Sequence, residues 1–168
     1  LQGDRLLQDV DMSGGFDKSR ALASAWLENP FYADVSSVWT LTQADLGLGA
    51  SEYVAFFSNQ MSLGAGSYDY GAHLSDEVDT ILVTASSGLL LTGDIDFDDS
   101  TGREGETRVV LMSGGDLKGA GSTLSHALSD LVLTARDDID LSGVSVAAGR
   151  RLEILGQRNL SITDGQLD

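Results

Sequence analysis

The chain of 168 residues contains no cysteine, one proline and few positive charges. Without cysteine there is no disulfide bond, thiol chemistry or cysteine-bound zinc, although this absence does not identify a cellular compartment. With one proline, turns have to be built from Gly, Asp, Asn and Ser. Ten Lys and Arg face 26 Asp and Glu, a formal net charge of −16. Proteins that bind nucleic acid or anionic lipid need a basic face, so both classes are excluded.

Long apolar runs are absent as well. No run reaches the ~18 residues of a membrane helix, and no basic-then-apolar stretch marks a signal peptide. We therefore expect no membrane insertion. The composition, with 42% hydrophobic residues, is typical of a folded chain. Because the sequence begins with Leu1 rather than Met, we expect it to be a piece of a longer chain.

A short repeat dominates the end of the chain. Apolar residues recur at one constant offset as the pairs Leu131 and Leu152, Leu133 and Ile154, Ile139 and Leu160, Leu141 and Ile162, and Val146 and Leu167. The same pattern occurs earlier from Val109, and earlier again from Ile81, at longer offsets. Apolar residues alternate with polar ones inside each unit. Each unit therefore predicts two short strands with one buried face, a polar corner and a Gly-containing turn.

A unit of this length cannot bury its apolar face alone and has to stack on copies of itself. We therefore predict an all-β fold, a parallel β-helix (solenoid) of roughly six or seven coils, with paired strands ~4.8 Å apart. One solenoid segment should span residues 1–168, with irregular coils over 1–79 and regular repeats over 80–168.

The irregular half carries two further predictions. Trp39 and Leu41 are assigned to a first strand, and Leu46 and Leu48 to the second strand of the same coil. Residues 19–28, SRALASAWLE, are rich in helix formers and end before Pro30. They predict a short helical excursion that packs over the side or end of the solenoid.

The string LVLTARDDIDLSGVSVAAGRRLEILGQRNLSITDGQL, residues 131–167, resembles the haemagglutinin-type repeats of filamentous-haemagglutinin-like exoproteins. The resemblance covers residues 80–168. It implies a right-handed parallel β-helix in a secreted or bacterial cell-surface protein, where the repeats form a stiff stalk for adhesive or toxic parts. A host or cell-surface glycan or protein is the implied partner. Bacterial autotransporter passengers share the architecture and stay open as an alternative.

Residues 93–106, GDIDFDDSTGREGE, gather acidic side chains on one strand face and on the loop that follows it. These side chains are Asp94, Asp96, Asp98, Asp99 and Glu104. Carboxylates in such number suit Ca²⁺, but the spacing of an EF-hand loop is not met. Two interpretations stay open: a solvated outer face, or a Ca²⁺ site formed by these five residues. No other cofactor is predicted.

The remaining polar residues favour structural roles. Asp116, Asp138 and Asn159 recur at the polar corner and predict a ladder of side chains that bond nearby backbone N–H groups. Arg136, Arg150, Arg151 and Arg158 lie near these acids and predict cross-coil ion pairs. His73 and His126 are isolated, and no catalytic motif is present, so we do not predict an enzyme.

Aromatic residues concentrate in the first half of the chain, where they predict either a glycan platform or the filling of an irregular core. They are Trp39, Tyr53, Phe56, Tyr68 and Tyr70. The leading functional prediction is a structural or adhesive stalk. The alternatives are a carbohydrate-active β-helix enzyme of lyase or hydrolase type and a Ca²⁺-dependent surface assembly module. Exposed coil ends also predict end-to-end self-association.

Overall fold

The computed structural model of the chain describes residues 6–8, 38–41, 53–73, 80–102 and 107–168. Within these ranges the chain is almost entirely β-strand. The elements, in chain order, are β1 (Leu6–Gln8), β2 (Val38–Leu41), β3 (Tyr53–Asp69), α1 (Tyr70–His73), β4 (Thr80–Asp98), β5 (Arg108–Ser113), β6 (Asp116–Gly119), β7 (Thr123–His126), β8 (Asp130–Ala135), β9 (Ile139–Asp140), β10 (Ser145–Ala148), β11 (Arg151–Gly156), β12 (Leu160–Ser161) and β13 (Gln166–Leu167).

Parallel pairing joins successive copies of the repeat into three ladders of strands. The first ladder runs from the start of β3 through the start of β4 to β5, β8 and β11. The second runs from β2 through the middle of β3 and β4 to β6, β9 and β12. The third connects the ends of β3 and β4 to β7, β10 and β13. From β3 onward the chain is therefore a parallel β-solenoid of five rungs, or about four turns.

The register predicted for the regular repeats from Ile81 onward is confirmed at the paired positions. In the last two rungs, Leu131 pairs with Leu152 and Ile139 with Leu160. The longer offsets of the earlier rungs are confirmed by the pairs Val109 and Leu131, Leu111 and Leu133, Ile81 and Val109, and Leu89 and Leu117. Register follows the apolar pattern because a slip of one residue would turn every inward side chain outward.

The inward side chains fill one continuous core along the solenoid axis. In the first ladder this core contains Ile81, Val83, Val109, Leu111, Leu131 and Leu133, each 0% exposed. Small residues occupy the following corner, where Ala85, Ser113, Ala135 and Gly156 share one column as predicted. The stacked rungs therefore bury together the apolar faces that no single rung could bury.

The last three rungs contain three strands each, and β3 and β4 each run through all three ladders as one strand, so the prediction of two strands and a turn is wrong. The segment predicted as a turn carries the third strand, which is β7 in one rung and β10 in the next. Leu124 and Val146 lie side by side in this ladder. The third strand is short in β7 and shorter still in β13, too short for alternation to reveal it.

The first ladder buries both of its faces, whereas the alternation predicted one. Leu82, Val110 and Val132 alternate with the inward residues and are at most 3% exposed. Their strands read TILVT, RVVLM and DLVLT, near-continuous apolar runs typical of parallel strands covered on both sides.

The assignment of Trp39 and Leu41 to a first strand is wrong. In β2 they lie in the second ladder, with Trp39 beside Met61 and Leu41 beside Leu63. The spacing from Trp39 to Met61 is the length of one rung, whereas Leu46 lies too near Met61 in the sequence to belong one rung earlier. The number of residues between Trp39 and Met61 therefore indicates the correct ladder for Trp39, whereas the leucine pattern around Leu46 led to the wrong assignment.

The N-terminal edge of the first ladder does not follow the all-parallel prediction. β1 pairs antiparallel with β3, with Leu6 opposite Phe57. The predicted helical excursion at residues 19–28, Leu46 and Leu48 lie outside the described residues, as does much of the region needed to count six or seven coils.

Candidate functional surfaces

The acidic side chains at the end of β4 lie on its outer side, as the alternation predicted, while Ile95 between them is buried. Two of the carboxylates accept hydrogen bonds from residues of the next rung. Asp94 Oδ1 accepts hydrogen bonds from the backbone N–H and the hydroxyl of Thr123, both at 3.0 Å. Asp96 Oδ1 accepts one from the Ser125 hydroxyl at 2.5 Å. These carboxylates therefore act as cross-rung ties to β7.

The next two acids shape the turn that follows β4. Asp98 Oδ1 accepts the backbone N–H of Asp99 at 2.8 Å. Asp99 is 7% exposed, and its Oδ1 accepts the backbone N–H of Thr101 at 3.0 Å and its hydroxyl at 2.6 Å. A Cβ atom on Gly71 would overlap the Asp99 carboxylate, so glycine allows α1 to pass close to this turn.

The predicted Ca²⁺ site is only partly visible. Glu104 lies in residues 103–106, outside the described part of the chain. Among the described residues, no group of three or more His, Asp or Glu side chains is arranged to hold a metal ion. The hydrogen bonds above give the carboxylates of Asp94, Asp96, Asp98 and Asp99 partners within the protein. Ca²⁺ binding by these residues with Glu104 stays a prediction, which calorimetric titration with Ca²⁺ would test.

Asp116, Asp138 and Asn159 form the predicted ladder at the polar corner. Asp116 Oδ1 accepts the backbone N–H of Asp138 at 3.2 Å. Asp138 Oδ1 in turn accepts the backbone N–H of Asn159 at 3.2 Å and its side-chain amide at 2.8 Å. Gly88 occupies the corresponding position one rung before Asp116. Each acid therefore satisfies backbone of the next rung, which is a structural role.

A groove of about 300 Å³, lined in part by Gly88, opens at this point of the second ladder. Leu90, 45% exposed, contributes apolar surface to it. Its charged residues pair with each other, with Lys118 Nζ 2.7 Å from Asp116 Oδ2. This hydrogen bond lowers the pKa of Asp116 and raises the pKa of Lys118. The pair is largely exposed to solvent, where such contacts contribute little to stability.

A second charged cluster is centred on a buried carboxylate, while Arg150 stays partly exposed. Asp130 is 3% exposed at the start of β8 and accepts two hydrogen bonds from Arg150, at 2.8 Å from Nε and 3.1 Å from Nη2. Arg108 Nε, at the start of β5, lies 3.6 Å from the same carboxylate. The Arg150 hydrogen bond lowers the pKa of Asp130. The cluster joins three successive rungs.

The predicted cross-coil ion pairs are therefore confirmed for Arg150, and also for Arg158, whose Nη1 lies 3.4 Å from Asp137 Oδ1. Arg151 instead pairs at 3.0 Å with Glu153 on its own strand. Proximity in sequence suggests only the Arg151–Glu153 pair, whereas the partners of Arg150 and Arg158 lie 20 and 21 residues away and are brought near by the rung geometry.

His126 lies inside the third ladder in an aromatic column. It is 0% exposed, with ring centroids 6.4 Å from Phe97 and 5.8 Å from Tyr70. Its Nδ1 lies 3.0 Å from the carbonyl oxygen of Asp130. A carbonyl can only accept, so Nδ1 carries the hydrogen and Nε2 accepts from the Tyr70 hydroxyl at 3.2 Å. Burial lowers the pKa of His126. The imidazole is therefore a neutral core group.

Sequence reasoning missed this column, although the register contained its signal. His126 follows Phe97 at the same spacing that separates Leu124 from Ile95 in the third ladder. Tyr68 pairs with Phe97 one rung earlier, and their rings stack with centroids 5.1 Å apart. Extending the repeat through the third strand would have placed the histidine among aromatic rings.

The glycan-platform interpretation is wrong for Tyr68 and Tyr70, which are each 1% exposed. The Tyr68 hydroxyl donates to the carbonyl oxygen of Gly64 at 2.8 Å. Both rings fill the core, as the alternative interpretation predicted. The side chains of Trp39, Tyr53 and Phe56 lie outside the described residues, as does the side chain of His73.

The fold defines the class to which this chain belongs: it is a parallel β-solenoid repeat protein. Comparison with known proteins adds no narrower assignment, since no family model, curated protein or solved structure matches the sequence. Within the described residues, no helix has the length and apolar character needed to cross a membrane.

Proposed function

We propose that the chain is a stiff stalk or passenger segment of an exported bacterial surface protein, of the filamentous-haemagglutinin-like or autotransporter type. The observation that supports this most is the unbroken stack of five rungs over one core. Three ladders of backbone hydrogen bonds connect each rung to the next. A structure built this way is extended and resists bending, because every rung is bonded on three sides to its neighbours.

Side-chain contacts between rungs support the same role. The Asp130 cluster joins three rungs, and the Asp138 ladder satisfies backbone of the following rung. Most of these polar contacts connect neighbouring rungs, as expected for a protein that has to resist extension along its axis. Tension along the axis is then shared among many hydrogen bonds in each rung.

The net charge of −16 suits an exported rod at high local density. Like charges on neighbouring molecules repel, and this discourages lateral aggregation of exposed strands. An adhesive contact would belong to irregular parts of the surface, such as the loop after Asp98 or the N-terminal half, because the regular rungs use their polar groups on each other. The partner we propose is a host or cell-surface glycan or protein.

Export is the part of the proposal that cells can test directly. Antibodies raised against the 168-residue chain should label intact cells that produce it, or detect it in their medium. A brief protease treatment of intact cells should remove the surface signal, while a cytoplasmic marker protein survives. Labelling that requires permeabilised cells would contradict the proposal.

Stiffness is tested by pulling single molecules between their ends. The C-terminal rungs should unravel one at a time, in steps of roughly 70–75 Å, given at most ~3.5 Å of extended chain per residue. A chain that extends smoothly at low force, without such steps, would not serve as a stalk.

The burial of two titratable groups does not favour the carbohydrate-active enzyme. His126 is buried in the aromatic column and Asp130 is held by Arg150, so neither can reach a polysaccharide outside the solenoid. A panel of acidic and neutral glycans, assayed for cleavage, tests the enzyme directly.

A further inference from the structure

Two outward columns of residues line the groove on the second ladder. Each column contributes one residue from each of three successive rungs. The columns are Gln60, Gly88 and Asp116, and Ser62, Leu90 and Lys118. The inward residues between the columns, Met61 and Leu89, are each 2% exposed and close the floor. The groove is therefore a feature of the outer surface and does not open into the core.

The middle of the first column has no side chain, because it is occupied by Gly88. A Cβ atom placed there meets only the carbonyl oxygen of Asp116, at 3.8 Å. Gln60 and Asp116 are two rungs apart, so roughly 10 Å separates their backbones across this gap. A volume of about 300 Å³ lies at the lower end of the range for small-molecule sites. The space therefore suits one small ring with its substituents.

The polar groups of the groove keep hydrogen-bonding capacity toward a ligand. Lys118 Nζ has three N–H donors, and one of them faces Asp116 Oδ2 at 2.7 Å. Asp116 Oδ1 accepts the backbone N–H of Asp138, and each carboxylate oxygen has a second lone pair. The side chains of Lys118 and Asp116 are 55% and 38% exposed. This pair can therefore donate to one hydroxyl and accept from its neighbour, as two adjacent hydroxyls of a sugar require.

Charge narrows the class of ligand. Asp138 and Asp140 follow Asp116 and Lys118 in the next rung, so three acids surround one ammonium group. One further cation, Arg158, already pairs with an acid of its own. An anionic ligand is repelled by this surface. A cationic ligand finds its position beside Asp116 taken by Lys118. The groove therefore favours a neutral ligand with hydroxyl groups.

We infer that this groove binds one neutral sugar unit of a glycan. The exposed side chain of Leu90 packs against the face of the ring, and the pair of Asp116 and Lys118 bonds two adjacent hydroxyls. The inference rests on the proposed function, which names a glycan among the partners, and assigns that contact to one site. The site lies where the side-chain ladder from Asp116 to Asn159 is interrupted at Gly88.

Amide NMR spectra of the ¹⁵N-labelled chain test the inference directly. The probes are the methyl glycosides of glucose, galactose and mannose, each titrated to about 100 mM, since a ligand this small is expected to have a millimolar dissociation constant. The amides of Gly88, Leu90 and Lys118 should shift with at least one of them, whereas those of Leu133 and Val146 should not. The corresponding uronic acid glycoside, at matched ionic strength, should bind about threefold more weakly or worse.

Three variants separate the groove from the rest of the surface. Gly88→Asn fills the gap with the side chain that Asn159 carries at the same corner, and should weaken binding about tenfold or more. Ser145→Asn is the matched control, because it adds the same side chain at an exposed position of the third ladder and should leave binding unchanged. Lys118→Met keeps a long side chain without donors and should weaken binding about threefold. Circular dichroism should show that all three keep the fold.

Four results would overturn the inference: no shift with any of the three sugars, shifts confined to other surfaces, equal binding by the native chain and Gly88→Asn, or tighter binding of the uronic acid. None of them bears on the stalk, because surface labelling and stepwise unravelling do not involve the groove. Conversely, a chain that is not exported can still bind a sugar in solution. The failure of one proposal is therefore distinguishable from the failure of the other.

Discussion

Acid should weaken this fold through His126 before it protonates Asp130. The imidazole is 0% exposed and neutral, and burial lowers its pKa from the ordinary value of 6.5. The unfolded chain takes up a proton below about pH 6.5, whereas the folded chain resists it, so stability falls as the pH falls through this range. Above it, both states are neutral and the histidine contributes no pH dependence.

The size of the effect follows from one proton. Each pH unit costs up to about 1.4 kcal/mol, so the loss between about pH 6.5 and pH 5 approaches 2 kcal/mol if the imidazole stays neutral. Asp130 contributes separately at lower pH, because its pKa is lowered from 3.8 and its stabilisation is lost only as the carboxylate protonates. The two groups therefore act in different pH ranges.

Urea denaturation at several pH values, for the native chain and for His126→Gln, measures this contribution. Glutamine can donate to the Asp130 carbonyl and accept from Tyr70, but it does not titrate. We expect the free energy of unfolding of the native chain to fall by about 1–2 kcal/mol more than that of the variant between about pH 7 and pH 5. Parallel pH profiles would refute the assignment of a neutral, buried imidazole.

Two further predictions concern packing. Leu133→Ala, at a position 0% exposed, should reduce the free energy of unfolding by about 2–5 kcal/mol. Leu90→Ala, at a position 45% exposed, should reduce it by less than about 1 kcal/mol. Similar urea midpoints for the two variants would contradict the placement of Leu133 in the core. Gly115→Ala should lower the melting temperature sharply, because its Cβ would overlap the carbonyl oxygen of Ser87. Gly88→Ala is the control, because its Cβ would meet only one atom, at 3.8 Å. Equal melting temperatures for the two variants would contradict the close approach of Gly115 to Ser87.

The second half of the fold was predictable because the residues that repeat in the sequence are the same residues that pack in the core. The recurrence of Leu131 as Leu152 and of Ile139 as Leu160 contains both the strand and its register. Parallel in-register stacking needs no other information, since each inward residue is covered by its counterpart in the next rung. The polar corner was predictable for the same reason, with Asp138 and Asn159 in equivalent positions.

What the sequence did not reveal depends on short strands and on residues far apart in the chain. The third strand is too brief for alternation, so His126 had no visible partner until Phe97 and Tyr70 were placed beside it. The burial of Leu82 and Val110 on the outer side of the first ladder depends on what covers that side, which a repeat pattern does not report. Repeats in the sequence thus predict which residues stack between rungs, but they do not predict what covers the outer side of the solenoid.

Cysteine pairs along one outward column test the stacked register most directly. Ser62, Leu90, Lys118, Asp140 and Ser161 are successive neighbours on the second ladder. Neighbouring rungs hold Cα atoms ~4.8 Å apart, within the range of a disulfide bond. We predict that each of the four neighbouring pairs, replaced by cysteines, oxidises to an intramolecular disulfide, whereas pairs shifted by one position do not. Equal oxidation of shifted and unshifted pairs would contradict the solenoid.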